Sequence, residues 1–344
     1  MRVTHVNLAR GFRGGERQTE LLIRALAETP GLHQQLVCRD DSPMREHLGD
    51  VPGFTLVTAN HQLSGHRRLG STDFVHAHDA KGVHWAWLHN RLTGVPYLIT
   101  RRVNKPVRNK LINRLCYHQA AFRVAISQPI QNQLVARGWG GVKRIPDAYS
   151  EQAADPAHSL AIRAAYQGKF LIGHAGALVD RDKGQRVLLE AARRLAQEAP
   201  DVHILFMGDG ADATALREES RNLANVEWLG FIENIADYLT ALDIFAFPSR
   251  NEGLGSVLLD AMQLKVPIIA SRVGGIPDII EHEATGLLFP SGDADALVDG
   301  LLRLKTDPEL RLRLCHQASE RLENYSPHAM AEGYRQLYRH ALSS

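Results

Sequence analysis

Short apolar runs alternate with helix-like stretches along this chain, twice over, with one polar interruption. VTHVNLA (3–9), HQQLVCR (33–39), FTLVTA (54–59), DFVHAH (73–78), PYLITRR (96–102) and FRVAIS (122–127) read as strands. GERQTELLIRALAE (15–28), KGVHWAWLHNRLTG (81–94) and residues 108–120 have helical spacing. Alternation of this kind predicts a parallel sheet with helices on both faces. RIPDAYSEQAADPAHSL (144–160) is polar, contains Pro146 and Pro156, and reads as a linker. The rhythm then resumes. Strands are expected at 170–178, 202–210, 226–231, 243–249 and 267–271, and helices at 184–199, 211–223 and from about Gly255. The expected fold class is α/β, with two doubly wound, Rossmann-like domains facing each other across a deep cleft. Ligands in such folds bind at the carboxyl ends of strands. The expected domains are residues 1–150, residues 151–325, and a terminal helix over 326–344 that crosses back to the first.

A chain of 344 residues suits two domains of ordinary size. No apolar run approaches the roughly 18–20 residues of a membrane span, and the opening MRVTHVNLARG lacks the long apolar stretch of a secretory leader. Cys38, Cys116 and Cys315 form no CxxC pair, which fits a reducing cytoplasm and no structural zinc. The net charge of +2 conceals an asymmetry. Residues 1–150 hold 21 basic and 10 acidic side chains, and the remainder holds 19 and 28. A basic half suits an anionic membrane surface, a nucleic acid or a phosphorylated acceptor. Within it, RRVNKPVRNKLINR (101–114) gathers Arg101, Arg102, Lys105, Arg108, Lys110 and Arg114. This is either a solvated basic face or a patch for a membrane or anionic acceptor.

The richest motif is FPSRNEGLGSVLLDAMQLKVPIIASRVGGIPDII, 247–280. A strand ends, and a loop carries Glu252, Gly253 and Gly255. Ser256 is a candidate helix cap, and the first turn of the helix offers free N–H groups to an anion. Asp260 follows just beyond. A second strand then ends in Gly274-Gly275, with Asp278 beside it. Two glycine-rich turns, each with an acid, are less easily explained as surface charge than one. HAGALVDRDKG (174–184) ends another strand, and its Arg181 and Lys183 suit a diphosphate. GFRGGE (11–16) could bring backbone N–H groups to a phosphate but is neither a Walker loop nor GxGxxG, and MGDGAD (207–212) lacks the full dinucleotide fingerprint. Of His76, His78, His84 and His89, the last two read as helix packing beside Trp85 and Trp87. His78, at a strand's carboxyl end, is the better candidate for the cleft, and a metal site is disfavoured.

PSRNEGLGSVLLDAM, VPIIASRVGGIPDII, HEATGLLFP and DADAL, preceded by GALVDRDKG, FMGDG and VEWLGF, resemble glycosyltransferase family 4, whose members are retaining enzymes of GT-B fold. The likeness is close over about 165–325. It is loose over the first half, through FRGGERQ, VHAH, GVPYLITRR and VAIS. The resemblance implies that Glu252 faces the donor hexose and Lys183 binds phosphate. It places Gly253, Leu254 and the backbone of Gly255, Ser256 and Val257 at the diphosphate or sugar. It puts Asp260 at the ribose and makes Gly208, Gly230 and Phe231 part of the nucleotide pocket. The Gly14–Gly15 loop would close over the diphosphate from the other domain.

Three departures stand out. Asp260 replaces the family's Glu, and Ala177 stands where Arg is usual, so Arg181 is the expected replacement charge. Arg101 and Arg102 occupy the place of a family His, which leaves His78 as the candidate sugar-facing imidazole. The resemblance implies transfer of a sugar from a UDP- or GDP-type donor to a hydroxyl of a glycolipid or glycan, in lipopolysaccharide or other cell-envelope synthesis. No cofactor and no metal are expected. No nucleic-acid partner is expected. The expected location is cytoplasmic, peripheral on the inner membrane. Two alternatives are a sugar-nucleotide 2-epimerase of the same architecture and a non-catalytic nucleotide-sugar binder.

Overall fold

In the computed structural model, which describes residues 1–343, the chain divides into two units. One comprises Met1–Ala148 with Asn324–Ser344, the other Tyr149–Glu323. The first is built on seven parallel strands: β1 (Arg2–Asn7), β2 (His33–Cys38), β3 (Thr55–Thr58), β4 (Phe74–Ala77), β5 (Tyr97–Arg101), β6 (Phe122–Ala125) and β7 (Val142–Arg144). Their order is β3-β2-β1-β4-β5-β6-β7. The second has six: β8 (Phe170–Ala175), β9 (Val202–Met207), β10 (Val226–Gly230), β11 (Ile244–Phe247), β12 (Ile268–Ser271) and β13 (Leu287–Phe289). They are ordered β10-β9-β8-β11-β12-β13. Each order reverses direction once, between β1 and β4 and between β8 and β11. A doubly wound sheet opens a crevice at that point, beyond the strands' carboxyl ends.

The central strands are buried along their length, as parallel strands covered on both faces must be. Helix Gln185–Glu198 covers one face of the second sheet through Val187, Leu188, Ala191, Ala192 and Leu195, which pack with Ile204, Phe206 and Ile244. In the first unit, helix Gly14–Ala27 buries Leu22, Ile23 and Leu26. Helix Pro327–Ser343 adds Met330, Ala331, Tyr334 and Tyr338 to the core around Val3, Phe74 and Leu98.

The polar stretch 144–160 differs from the linker expected of it. A helix, Pro156–Ala165, begins inside it, because Pro156 is preset for a first helical turn and Asp155 accepts from the Ala157 N–H at 2.9 Å. Two strands of three residues, β7 and β13, lie at sheet edges and were too short to show a pattern. The helix expected over 211–223 is confined to Ala213–Glu219.

Candidate functional site

In the second unit, the loops following β8 and β11 flank the switch point, and backbone contacts join them. The N–H groups of Arg250 and Asn251 both donate to the Asp182 carbonyl, at 2.9 and 3.0 Å. Gly184 has φ +68°, and a Cβ there would stand 2.1 Å from the Pro248 carbonyl oxygen, so only glycine permits this approach. The contact brings Lys183 Nζ to 2.5 Å from Glu252 Oε2, and the ammonium also lies 5.5 Å from the Phe247 ring centroid. Residues 69 positions apart thus form one charged pair at the carboxyl ends of neighbouring strands. Glu252 is held further by Ser249 Oγ at 3.4 Å and the Gly253 N–H at 3.2 Å.

Behind the pair, His174 is fully buried, with Nδ1 3.1 Å from the Ala246 carbonyl and Nε2 3.3 Å from Gln185 Nε2. Gln185 in turn donates to the Ala177 carbonyl at 2.9 Å, which fixes the loop that leads to Lys183. Burial lowers the His174 pKa to about 4, so the ring is a neutral support. Gln185 carries no motif that sequence reasoning could have used.

Gly253, Leu254, Gly255, Ser256 and Val257 follow Glu252 directly. Gly255 has φ +92° and precedes helix Ser256–Gln263. Ser256 is the first helical residue and not the expected cap, because Gly255 takes the left-handed position ahead of it and no side chain caps the turn. Asp260 is 9% exposed, and its Oδ1 accepts from the Ser150 N–H at 2.6 Å. One oxygen of the expected ribose acid is therefore engaged by backbone before any ligand arrives. Arg181 is 81% exposed and pairs with its neighbour Asp182 at 3.6 Å. Gly208 donates to the Gly230 carbonyl at 2.6 Å. Phe231, 77% exposed, projects from the end of β10.

In the first unit, the switch point lies between the loops after β1 and β4. Asp79 accepts from Leu8 N–H at 2.9 Å and caps helix Ala80–Thr93 through Lys81 and Gly82 N–H groups, which ties the two loops together. Gly14 and Gly15 open the helix after β1. Glu16 accepts from the Arg13 N–H at 3.0 Å and lies 3.5 Å from Asn7 Nδ2, and burial raises its pKa.

His78 is not a free imidazole. It is buried, with Nε2 3.0 Å from His5 Nδ1 and Nδ1 3.2 Å from Arg102 Nη1. The expectation of a sugar-facing imidazole is corrected accordingly: both ring nitrogens are already bonded inside the unit. Desolvation, with His76 and Arg102 nearby, holds its pKa well below the ordinary value. Ligand atoms of His5, His76 and His78 lie within 4.8 Å of one another. His76 is also bonded at both nitrogens, to Tyr338 Oη at 2.6 Å and Thr100 Oγ1 at 2.7 Å. The other nitrogen of His5 faces Gln34 Oε1 at 3.0 Å. A metal ion would have to displace these bonds beside a guanidinium, so the donor set fits a hydrogen-bonded core better than a metal centre.

Arg102 is a second correction. Its side chain, just beyond β5, is 7% exposed and pairs with Asp147 at 3.0 Å, with Cδ beside Gly15 of the helix after β1. It belongs to no surface patch. Arg101 is half-buried and donates to the Lys105 carbonyl at 2.6 Å. Lys105, Arg108 and Lys110 are exposed, and Val103, Leu111 (70% exposed) and Ile112 are exposed among them.

Residues 169–307 match the family model described as Glycosyl transferases group 1. The chain is 26% identical, over 98% of both sequences, to the lipopolysaccharide core biosynthesis glycosyltransferase LpsE of Rhizobium meliloti (strain 1021). It is 32% identical over 155 residues to N-acetyl-alpha-D-glucosaminyl L-malate synthase of Bacillus anthracis, a match that spans 40% of that protein and 44% of this chain. Among solved structures, Anabaena HepE in complex with UDP and glucose superposes with a TM-score of 0.84 at 19% identity, over 98% of each chain. That likeness shows the fold: two parallel-sheet Rossmann-like domains of the GT-B class.

Proposed function

From the premise that residues 169–307 are a glycosyl transferases group 1 domain, we propose that the chain transfers a sugar from a nucleoside diphosphate to a hydroxyl of a cell-envelope glycolipid or glycan. The observation that carries this reading is the Lys183–Glu252 pair at 2.5 Å, held across two strand ends at the switch point of the matched domain. A transferase of this kind must stabilise negative charge on a departing diphosphate and orient a hexose. Lys183 supplies a fixed cation, and the first-turn N–H groups of Ser256 and Val257 supply oriented dipoles. Glu252, acceptor-only when ionised, is suited to hexose hydroxyls. The diphosphate competes with Glu252 for Lys183, so ligand binding loosens the pair and exposes the carboxylate to the sugar.

HepE was solved with UDP and glucose, which supports a UDP-linked donor here, with GDP as the second candidate. We assign the transfer as retaining, with the leaving phosphate taking the acceptor's proton. Charge neutralisation is assigned to Lys183 and backbone amides, with no cofactor and no resident metal. Phe231 is offered as a nucleotide contact beside Gly230, which has open space where a Cβ would stand, and Gly208 holds the neighbouring loop close against the Gly176 carbonyl. Asp260 is offered as the ribose contact. Lys105, Arg108 and Lys110, with Leu111 and Ile112, are proposed to rest on an anionic leaflet at the cytoplasmic face of the inner membrane.

A panel of UDP- and GDP-sugars read by thermal shift identifies the donor, because a ligand stabilises the folded state by mass action. The preferred donor is then supplied with cell-envelope acceptors. Turnover that survives EDTA, gives a product of unchanged anomeric configuration, and falls about 100-fold in Lys183→Met is the expected result. Conversion of the donor to an epimer without acceptor, or full turnover in Lys183→Met and Glu252→Ala, would refute the reading.

A further inference from the structure

At the amino ends of the strands of the second sheet, away from the Lys183–Glu252 pair, lies an open groove of about 840 Å³. Small-molecule sites occupy roughly 300–1,000 Å³. Leu242 and Asp243, ahead of β11, and Pro267, ahead of β12, line one side. Helix Pro308–Arg321 lines the other through Arg311, Leu312 and Cys315. All of these residues belong to the second unit. Nucleotides bind doubly wound folds at the carboxyl ends of strands, so the groove is no part of the site described above.

Lys265 also lines the groove, and its backbone is unusual. Among the described residues other than glycine, Lys265 (φ +56°) and Glu283 (φ +67°) alone take left-handed φ. Glu283 ends in an ion pair, with Oε2 2.8 Å from Arg303 Nη2. Lys265 stands just past helix Ser256–Gln263. Its N–H donates to the Met262 carbonyl at 3.0 Å, and the Val266 N–H donates to the Ala261 carbonyl at 2.9 Å. This closure suits glycine, which takes the left-handed place without strain. A lysine there is strained. The helix dipole does not require it, because a cation in the last helical turn would serve as well. The ammonium makes no ion pair or hydrogen bond among the described residues. A strained residue whose side chain meets nothing inside the fold is a candidate for a ligand contact.

Arg311 is the second cation. Nη1 donates to the Leu304 carbonyl and, at 3.0 Å, to the Lys305 carbonyl, and the guanidinium lies 5.6 Å from the Phe170 ring centroid. Nε and Nη2 make no hydrogen bond among the described residues. The acids of the groove are engaged elsewhere. Asp243 Oδ2 accepts from Arg163 Nη1 at 3.0 Å and from the Leu171 N–H at 2.7 Å, and Glu320 Oε1 lies 3.7 Å from His316 Nδ1. Both cations act on Cys315, whose thiol donates to the Lys265 carbonyl at 3.2 Å. Burial pushes that thiol's pKa up to about 11, and Arg311 and Lys265 oppose the push. Leu242, Pro267 and the exposed Leu312 add apolar surface.

We propose that this groove is a further ligand site, for an amphiphilic anion whose carboxylate or phosphate head meets Lys265 and Arg311 and whose apolar body lies along Leu242, Pro267 and Leu312. The site is independent of the transfer reading and stands whatever the donor.

The test is calorimetric titration of the full chain with decanoate, decyl phosphate, inorganic phosphate and decyltrimethylammonium, each below its micellar concentration. A decyl anion binds, inorganic phosphate binds at least about tenfold more weakly for want of an apolar body, and the cationic amphiphile does not bind. The tighter of decanoate and decyl phosphate identifies the head group. Occupancy slows alkylation of Cys315 by iodoacetamide, read by peptide mass spectrometry, with the buried Cys38 and Cys116 as internal references. Lys265→Gly weakens the anion at least about tenfold and raises the thermal midpoint, because glycine relieves the left-handed strain. A lysine with only a structural role would move the midpoint and leave the affinity unchanged. Lys265→Arg retains affinity. Equal affinity in wild type and Lys265→Gly, equal binding of the cationic amphiphile, or undiminished alkylation of Cys315 at saturation overturns the proposal. Displacement of the decyl anion by UDP would move it to the candidate donor site and overturn the proposal as well.

Discussion

At the scale of single residues, the contact between the loops after β8 and β11 depends on a glycine. Gly184 takes the left-handed conformation where its missing Cβ lets the loop after β8 meet the Pro248 carbonyl. Gly184→Ala is expected to destabilise by at least about 2 kcal/mol, from left-handed strain and a backbone clash together. Gly94→Ala, at φ +79° in open space, serves as the control and carries the strain alone. Urea denaturation of both variants measures the difference, and equal midpoints would remove Gly184 from its proposed role. The Lys183–Glu252 contact was legible as two charged motifs at strand ends, but not as a pair. Nothing in the spacing of residues 69 apart says that their loops share a carbonyl. Asp260 was legible as an acid near a helix start. Its bond to the Ser150 N–H was not, because it comes from a segment 110 positions away.

Among the elements, helix starts are where local chemistry and tertiary structure meet. Asp79 serves three N–H groups, two in its own helix and one on Leu8 at the end of β1. Asp79→Ala removes a cap and leaves the Leu8 N–H unpaired, an expected loss of about 2–3 kcal/mol. Equilibrium unfolding measures the loss, and a change below about 0.5 kcal/mol would show that water replaces the carboxylate at Leu8. Strands β11 and β12 were readable because buried parallel strands are near-continuous apolar runs. Edge strands β7 and β13 were not, since three residues carry no period. The helix at Pro156 was hidden by a polar exterior, although Asp155-Pro156 is a legible start signal.

For the molecule as a whole, buried neutral histidines make acid the weak side. Each unit contains at least one, since the pKa values of His5 and His174 are each lowered to about 4 by burial, and His76 and His78 are also depressed. The unfolded chain binds protons on these rings near pH 6.5, and the folded chain does not. Stability is therefore full above about pH 6.5 and falls as pH drops toward 4, by about 1.4 kcal/mol per pH unit for each such ring. Thermal midpoints measured across that range check the slope, and a midpoint flat from pH 7 to 5 would contradict it. By itself, the sequence determined two parallel α/β domains, the glycine-rich strand ends that bear the candidate site, and the charge difference between halves, because periodicity and composition are local properties. Only tertiary structure decided that Lys183 meets Glu252, that His78 is saturated by His5 and Arg102, and that Arg102 is buried against Asp147. Those outcomes depend on which loops the sheet order brings together and on how many hydrogen-bond partners each group finds there.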